Sequence, residues 1–210
     1  MQLHNFSPLV VFETEINGYR NSLIDLYKDH SFDYSDGMIT GEANGKVLVH
    51  QDPRFAPFLK EVKTKVKEYL DIFNFDHNVY ELNFVKSWYT VCDTKFNVPS
   101  HYHSCSHISY VYYLDVEEND PLIFSLDNPN EWFGDAFFFT FGKNNLNSWQ
   151  YAVQPKNESL LLFPGKIKHF TQGNRKGTRM CIAGDVLLTL KENLLEFESG
   201  LLPTKYWSQF

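Results

Sequence analysis

The hydrophobic residues of the N-terminal part of the chain recur at the spacing of amphipathic helices. From Pro53 to Phe73, apolar side chains form one stripe while lysines and glutamates occupy the opposite side, which predicts a long helix. A shorter pattern predicts a helix from Asn17 to Asp29, with Asn17 as its cap. Before it, Pro8 to Glu15 alternates weakly between apolar and polar residues and predicts a strand.

The pattern changes after residue 80, where short segments rich in Val, Phe, Tyr and Leu follow one another. Pro, Gly and Asn separate them, which is typical of strands in a sandwich or barrel. The predicted strands are YELNFVKSWYTV, HISYVYYLDV, PLIFSL, EWFGDAFFFTF, WQYAV, ESLLLFP, KIKHFTQG and TRMCIAGDVLLTL.

Helices followed by strands predict a mainly β fold with the N-terminal helices packed on one face of a sheet. No repeat, linker or low-complexity tract interrupts the chain, so we expect residues 1–210 to form a single domain with a β core at about 80–190. Residues 191–210 predict a short helix and an aromatic tail.

Composition narrows the possible classes of protein. The formal net charge is -7 and no long basic stripe is present, which argues against a nucleic-acid partner. Cys92, Cys105 and Cys181 form no CxxC pair, so we expect no disulfide framework. The N-terminal residues lack a basic start followed by a long apolar segment, so we expect a cytoplasmic protein without a membrane span.

Three histidines alternate in the stretch NVPSHYHSCSHISYVYYLDV. Side chains two residues apart in an extended chain share one face, so His101 and His103 project together and can reach one metal ion. His169, near the end of LLLFPGKIKH, is the strongest candidate for a third ligand. His107 has the same parity, and could contact substrate or be a core histidine with satisfied hydrogen bonds.

Arg179 follows His169 by ten residues in HFTQGNRKGTRMCIAGD. A guanidinium beside a metal can grip a carboxylate through two parallel hydrogen bonds, whereas the alternative is a surface ion pair of little consequence. Cys181 is expected to be a small packed residue and not a nucleophile. Three tryptophans could wall the mouth of a site or simply pack in the core: Trp88, Trp132 and Trp149.

In their order and spacing, these motifs resemble the 2-oxoglutarate/Fe(II)-dependent oxygenases of bacteria and their phages, which are distant relatives of the prolyl 4-hydroxylases. The resemblance covers about Trp88 to Asp185 and, weakly, the opening FSPLVVFETEI. The residues that carry it are the HxH and its strand (His101, His103, Ser109, Tyr113, Leu114), the FP-x-x-x-x-H (Phe163, Pro164, His169) and the R-x-C-I-A-G-D segment (Arg179, Cys181, Ile182, Ala183, Gly184, Asp185).

The resemblance implies a double-stranded β-helix, the jelly roll of the cupins, with Fe(II) and the cosubstrate 2-oxoglutarate at its open mouth. It implies that His101 and His169 are iron ligands and that Arg179 pairs with the distal carboxylate of 2-oxoglutarate. Ser109 stands where prolyl hydroxylases have a Thr that touches the same carboxylate. Parity places Ser109 and Tyr113 on the cavity side with His103, provided that no bulge intervenes.

The chain departs from the family pattern at one ligand, because most of these enzymes use H-x-D or H-x-E. We expect His103 to be the second ligand, since its spacing of two matches the strand period. In the alternative, Asp93 or Asp115 supplies a carboxylate to the metal and His103 lies outside the ligand set.

We therefore expect an enzyme that uses O2 to hydroxylate an unknown small molecule or peptide with release of succinate and CO2. One alternative is a three-histidine cupin-type metalloenzyme, such as a thiol dioxygenase or an isomerase, that does not use 2-oxoglutarate. Another is a non-catalytic β-sandwich binding module. A three-histidine zinc hydrolase is also conceivable, but the sequence shows no Glu placed as its general base. The mouth loops, expected at Asp127 to Gly134 and Gly142 to Trp149, do not identify the substrate, and the aromatic tail leaves a homodimer open.

Overall fold

The computed structural model describes residues 9–30, 38–40, 46–126, 150–172, 176–194 and 200–208. The predicted strand EWFGDAFFFTF, both mouth loops, Trp132 and Trp149 lie outside these residues.

Two α-helices lie before residue 80, as the apolar spacing predicted. Helix α1 spans Arg20–His30 and helix α2 spans Ala56–Asp71. The predicted start of α2 at Pro53 is a 3-10 turn, Pro53–Phe55, in which the Asp52 carboxylate accepts a hydrogen bond from the Arg54 N–H. Helix α2 buries the predicted apolar stripe, including Phe58, against the sheet.

Nine strands form two antiparallel sheets in the described part of the chain. The six-stranded sheet has the order β1-β7-β4-β9-β3-β2, and the three-stranded sheet has the order β6-β5-β8. The strands are β1 Phe12–Glu15, β2 Met38–Thr40, β3 Tyr80–Cys92, β4 Ile108–Asp115, β5 Leu122–Ser125, β6 Gln150–Val153, β7 Ser159–Pro164, β8 Lys168–Thr171 and β9 Arg179–Leu190.

The predicted strands that fall within the described residues are all present. Strand β2 is not among the strands that the sequence predicted. The described part of the C-terminal segment contains two 3-10 turns, Glu192–Leu194 and Thr204–Tyr206. No helix among the described residues is long and apolar enough to cross a bilayer.

The six-stranded sheet separates two hydrophobic clusters. On one side, the even-numbered residues of β4 pack against α1 and α2, and Tyr112 contacts Phe58 with ring centroids 4.8 Å apart. On the other side, Val111 and Tyr113 of β4 pack with Leu122 and Phe124 of β5, between the two sheets. The alternation of β4 therefore sends one set of side chains to the helices and the other to the interior between the sheets. The predicted packing of the helices on one sheet face is confirmed.

Candidate metal centre

Three histidines that are distant in sequence converge at one edge of the space between the sheets. One ring nitrogen from each of His101, His103 and His169 lies within 4.8 Å of the others. His103 and His169 are buried, and His101 is partly exposed. The structure thus brings together the three residues that the sequence singled out as candidate ligands.

Backbone pairing between two segments brings His101 to His169. The His101 N–H donates to the His169 carbonyl at 3.1 Å, and the His169 N–H donates back to the His101 carbonyl at 2.9 Å. Their ring centroids are 4.3 Å apart. Two residues later, the His103 N–H donates to the Gly165 carbonyl at 2.8 Å, which ties the HxH segment to the turn between β7 and β8.

Parity places His103 on the face of Ser109 only if the HxH segment and β4 form one continuous strand. In the structure they do not. A turn at Ser104 and Cys105 separates the HxH segment from β4, which begins at Ile108. Because this turn interrupts the alternation, His107 leaves the face of His103 and is exposed. Its Nδ1 accepts a hydrogen bond from the Leu188 N–H at 3.0 Å, so His107 has a structural partner outside the cluster.

The hydrogen bonds of the three rings determine their tautomers. Nδ1 of His101 lies 2.8 Å from the Pro99 carbonyl, and Nδ1 of His169 lies 2.9 Å from the Ile167 carbonyl. Nδ1 of His103 lies 2.5 Å from a carboxylate oxygen of Asp185. Each of these oxygens can only accept, so each Nδ1 carries a proton. In its neutral form each ring then has its lone pair on Nε2, the nitrogen that can bind a cation.

The surroundings of the His103 Nε2 atom indicate whether a metal ion fits between the three histidines. It is buried and has no hydrogen-bond partner among the described residues. Leaving such an acceptor unpaired is costly, and buried polar groups are almost always satisfied. A cation bound by the three Nε2 atoms satisfies it, so these residues fit a metal ion that prefers imidazole, such as iron, zinc or nickel.

Burial also keeps His169 in the form that binds a metal. The pKa of His169 is lowered to about 3, mainly by burial and, to a smaller extent, by the neighbouring His101. Neutral imidazole is the ligand form, because a protonated ring has no free lone pair.

Asp185 is the functional candidate that the sequence reasoning missed as a partner of the metal site. Its side chain is 1 % exposed and accepts from His103 and, at 2.9 Å, from the Ser109 hydroxyl. Burial by itself would raise the pKa of Asp185, but His103, Ser109 and nearby Lys86 together lower it. The motif R-x-C-I-A-G-D contained this residue, but nothing in its spacing indicated contact with His103.

The other two carboxylates considered as ligands lie elsewhere. Asp115 is exposed and contacts Arg20 at 3.5 Å, while the Asp93 carboxylate accepts from the Lys95 N–H. Neither belongs to the histidine cluster. Asp185, in contrast, contacts the cluster through Nδ1 of His103.

Arg179 lies in the interior and not on the surface, at 2 % exposure. Its Nη1 donates to the Asp120 carbonyl at 2.9 Å and lies 3.0 Å from the Asp120 carboxylate, while Nη2 donates to the Tyr113 hydroxyl at 3.1 Å. Burial would lower the pKa of Arg179, but Tyr113, Cys181 and Asp120 together raise it. Burial raises the pKa of Tyr113, so its hydroxyl keeps its proton and can donate it to a ligand.

Two further residues have packing roles in the interior. Cys181 is buried, and burial raises the pKa of its thiol to about 12 although Arg179 opposes the shift. A protonated thiol is a poor nucleophile, which agrees with the predicted packing role. Trp88 is buried as well, and its ring stacks on that of His103 with centroids 5.6 Å apart.

Comparison with known proteins gives one match by sequence. The family model described as "Putative 2OG-Fe(II) oxygenase" matches residues 86–185, the segment that contains the three histidines, Arg179 and Asp185. No curated protein is similar enough in sequence to count as a relative.

Solved structures share the fold at low sequence identity. The carbocyclase SnoK of nogalamycin biosynthesis, described as non-heme and alpha-ketoglutarate dependent, matches with a TM-score of 0.57 and 9% identity over 93% of this chain and 89% of its own. A Pseudomonas putida prolyl-4-hydroxylase matches with a TM-score of 0.50 and 10% identity over 85% of this chain and 92% of its own. A Burkholderia pseudomallei oxidoreductase of the 2OG-Fe(II) oxygenase family matches over only 50% of this chain and 45% of its own, with a TM-score of 0.37 and 9% identity.

These likenesses confirm the predicted double-stranded β-helix.

Proposed function

We propose that the protein is a 2-oxoglutarate- and Fe(II)-dependent oxygenase in which His101, His103 and His169 hold the iron, and that it hydroxylates a small molecule or peptide. The match of residues 86–185 to the family model of such oxygenases supports this proposal. The observation that carries the proposal is that one ring nitrogen from each of the three histidines lies within 4.8 Å of the others, while each Nδ1 lies at hydrogen-bond distance from an oxygen. A metal ion held by these three histidines would keep open positions for cosubstrate and O2.

The ligands contribute geometry and charge to this reaction. When bound, Fe(II) supplies the redox chemistry that couples decarboxylation of 2-oxoglutarate by O2 to oxidation of the substrate. Three neutral imidazoles leave the double positive charge of the ion uncompensated within the ligand set. A dianionic cosubstrate therefore gains more electrostatic attraction here than at a site with a carboxylate ligand.

Tyr113 and Arg179 bind the distal carboxylate of 2-oxoglutarate in this proposal. The Tyr113 hydroxyl accepts from Arg179, so its own proton remains to be donated. Nη1 of Arg179 is engaged twice by Asp120, whereas Nη2 has a second N–H beside the Tyr113 hydroxyl. A carboxylate can thus accept from that N–H and from the hydroxyl at once.

Ser109 has a different role from the one that the resemblance implied. Its hydroxyl has a single proton, which is donated to Asp185 at 2.9 Å. We therefore assign Ser109 to the support of Asp185 and not to the cosubstrate carboxylate.

The apolar interior excludes water from the site. Val111, Leu122 and Phe124 lie in the cluster between the sheets, together with Tyr113 and Cys181. In such surroundings the hydrogen bonds to a bound carboxylate are stronger than in water.

We further propose that the enzyme acts in the cytoplasm and that neither nucleic acid nor a membrane is its partner. We leave the homodimer as an expectation.

The proposal is tested by measuring O2 uptake and succinate release with Fe(II) and 2-oxoglutarate, together with 2-oxoglutarate binding by calorimetry. We expect the wild-type protein to bind 2-oxoglutarate only in the presence of metal and to release succinate slowly even without substrate. His169→Ala should lose both properties, because it removes one of three ligands. His77→Ala is the matched control, since His77 pairs with Asp71 outside the cluster. Undiminished succinate release in His169→Ala would contradict the proposal.

A three-histidine cupin-type enzyme that does not use 2-oxoglutarate is the second candidate. The ligand set favours it, as does the engagement of Arg179 by Asp120. Metal-loaded protein that shows no heat of binding with 2-oxoglutarate would select this alternative.

A further inference from the structure

Asp185 lies on β9 between side chains of its two neighbouring strands. Ser109 of β4 and Lys86 of β3 are its direct cross-strand partners. Ser109 donates to Oδ1, and Lys86 Nζ lies 3.9 Å from Oδ2. His103 approaches from a third segment and donates to Oδ1 at 2.5 Å. Three separate segments therefore contribute polar groups to this one buried carboxylate.

A bulge in β3 is responsible for the position of Lys86. The register shifts between Phe84 and Lys86, so that Phe84 pairs with Val186 and Lys86 pairs with Asp185. Without the shift, Val85 would stand opposite Asp185. Phe84 packs on the helix side of the sheet, whereas Lys86 and Trp88 face the interior, because the extra residue reverses the alternation.

A buried carboxylate at this place needs a reason beyond packing. Removing an ionised group from water is expensive unless donors and positive charge compensate it. The donors around Asp185 reduce this cost, yet an apolar or amide residue would avoid it altogether. Of the three groups, His103 is the one whose other nitrogen points to the candidate metal position.

Building on the proposed function, we propose that Asp185 supplies, through the Nδ1–H of His103, the negative charge that the three imidazole ligands lack. Asp185 does not reach the metal and is a positioning residue for His103. A carboxylate that accepts from the outer nitrogen of an imidazole fixes its tautomer and makes its inner nitrogen a stronger donor to the metal. The pair thus takes the part of the carboxylate ligand found in H-x-D sites, with the charge one residue further from the ion.

Trp88 completes the restraint on the His103 ring. Its indole stacks on the imidazole at an interplanar angle of 29°, and Lys86 Nζ lies 5.7 Å from the indole centroid. The hydrogen bond restrains the direction of Nε2 and the stacking restrains the plane of the ring. His103 therefore presents Nε2 to the metal in one orientation.

The test is the affinity of the protein for Co(II) alone, without 2-oxoglutarate, measured by competition with a chelator and by the visible spectrum of the bound ion. Asp185→Asn keeps an oxygen that can accept from His103 but removes the charge. We expect Co(II) to bind about 10–100-fold more weakly to this variant, with an altered spectrum. Asp115→Asn is the matched control, since Asp115 is an exposed carboxylate on β4 paired with Arg20, and its Co(II) affinity should equal that of the wild type.

A second background separates this role from a general effect on folding. His103→Asp places a carboxylate in the ligand set itself, so a second negative charge at Asp185 becomes unfavourable. In that background we expect Asp185→Asn to leave Co(II) affinity unchanged or to increase it. The double-mutant cycle thus predicts that Asp185→Asn weakens Co(II) binding in the wild-type background and does not weaken it in the His103→Asp background.

Each result has one meaning. Equal Co(II) affinity in Asp185→Asn and the wild type overturns the inference, as does an equal loss in both backgrounds. If Asp185→Asn alone does not fold, the comparison of His103→Asp with His103→Asp/Asp185→Asn decides, because a loss in the double variant contradicts the inference. Failure of the wild type to bind Co(II) would instead contradict the proposed metal site.

Discussion

The two faces of the six-stranded sheet differ although the same strands build both. On the face toward the helices, β4 presents Tyr110 and Tyr112 and β9 presents Ile182, all buried among apolar and aromatic side chains. On the interior face, the alternate positions of these strands include Ser109 and Asp185, which are buried as well. Burial is similar on the two sides, but on the interior side buried charged groups lie together, such as Arg179 and Asp120.

The difference shows how one sheet separates stability from chemistry. The helix face needs no specific polar partners except for tyrosine hydroxyls, such as that of Tyr112, which donates to the Ile16 carbonyl at 2.8 Å. The interior face contains buried charges that are stable only with partners, such as Arg179 with Asp120. We therefore expect substitutions on the helix face to change the free energy of unfolding, and substitutions on the interior face to change ligand binding.

Phe58→Ala should give the largest effect on the helix face. Phe58 is fully buried against Tyr112, so its removal leaves a cavity and costs about 3–5 kcal/mol of unfolding free energy. Urea denaturation of the metal-free protein measures this loss. The fraction that remains folded should bind Co(II) as tightly as the wild type, and weaker binding would show that the two faces are coupled.

Gly184→Ala tests the separation at its closest point, because Gly184 is adjacent to Asp185. A Cβ at Gly184 would lie 2.5 Å from ring atoms of Tyr110, so the tyrosine must move. We expect a loss of about 1–3 kcal/mol in unfolding free energy, as for other overpacked cores.

Gly177→Ala is the control for Gly184→Ala. There the added Cβ would meet the mobile end of the Glu117 side chain at 2.8 Å, so we expect a change within about 0.5 kcal/mol. Equal losses in the two variants would argue against a tight contact between Gly184 and Tyr110.

Acid should destabilise the metal-free protein through the interior face. His169 has a pKa of about 3 in the folded state, below the usual histidine value of 6.5, because burial disfavours its charge. Between pH 6.5 and 3, His169 is therefore protonated in the unfolded chain but neutral in the folded chain. The free energy of unfolding is therefore unaffected by His169 above pH 6.5. It decreases by about 1.4 kcal/mol per pH unit as the pH falls from 6.5 toward 3.

Urea denaturation at pH 7 and at pH 5 measures this decrease. His169→Gln should reduce the pH dependence, because glutamine does not titrate. An unchanged slope in His169→Gln would show that His169 is not the group responsible.

Cys181→Ala should have the smallest effect on the chemistry. Its thiol has a pKa of about 12 because of burial, so it takes no part as a nucleophile and succinate release should be unchanged. In the wild type, an alkylating reagent should modify the exposed Cys105 while Cys181 stays unmodified under native conditions. Loss of turnover on alkylation of Cys181 would contradict this assignment.

Local patterns in the sequence predicted most of the helices and strands and indicated three histidines as candidate metal ligands. Helix α2 follows from its apolar stripe, and β4 and β9 follow from their apolar runs. The family motifs predicted that His101, His103 and His169 belong to one site, and these three residues lie close together in the structure. Ser109 and Tyr113 do face the interior, although the turn at Ser104 and Cys105 breaks the continuous strand from which the parity argument placed them with His103.

Parity along one segment did not place His107, because the turn at Ser104 and Cys105 interrupts the strand. It also could not locate the partners of the candidate site. Asp185 meets His103 across 82 residues, and Arg179 meets Asp120 across 59.

The sequence by itself therefore determined which faces of the strands are buried and which residue types can bind a metal, since both depend on spacing within a segment. Only the tertiary structure decided that the carboxylate of the site lies behind His103, because strand order and the bulge in β3 set that contact. Hydrogen-bonded registers between distant strands leave no periodic trace in the chain, so their consequences are visible only in the folded protein.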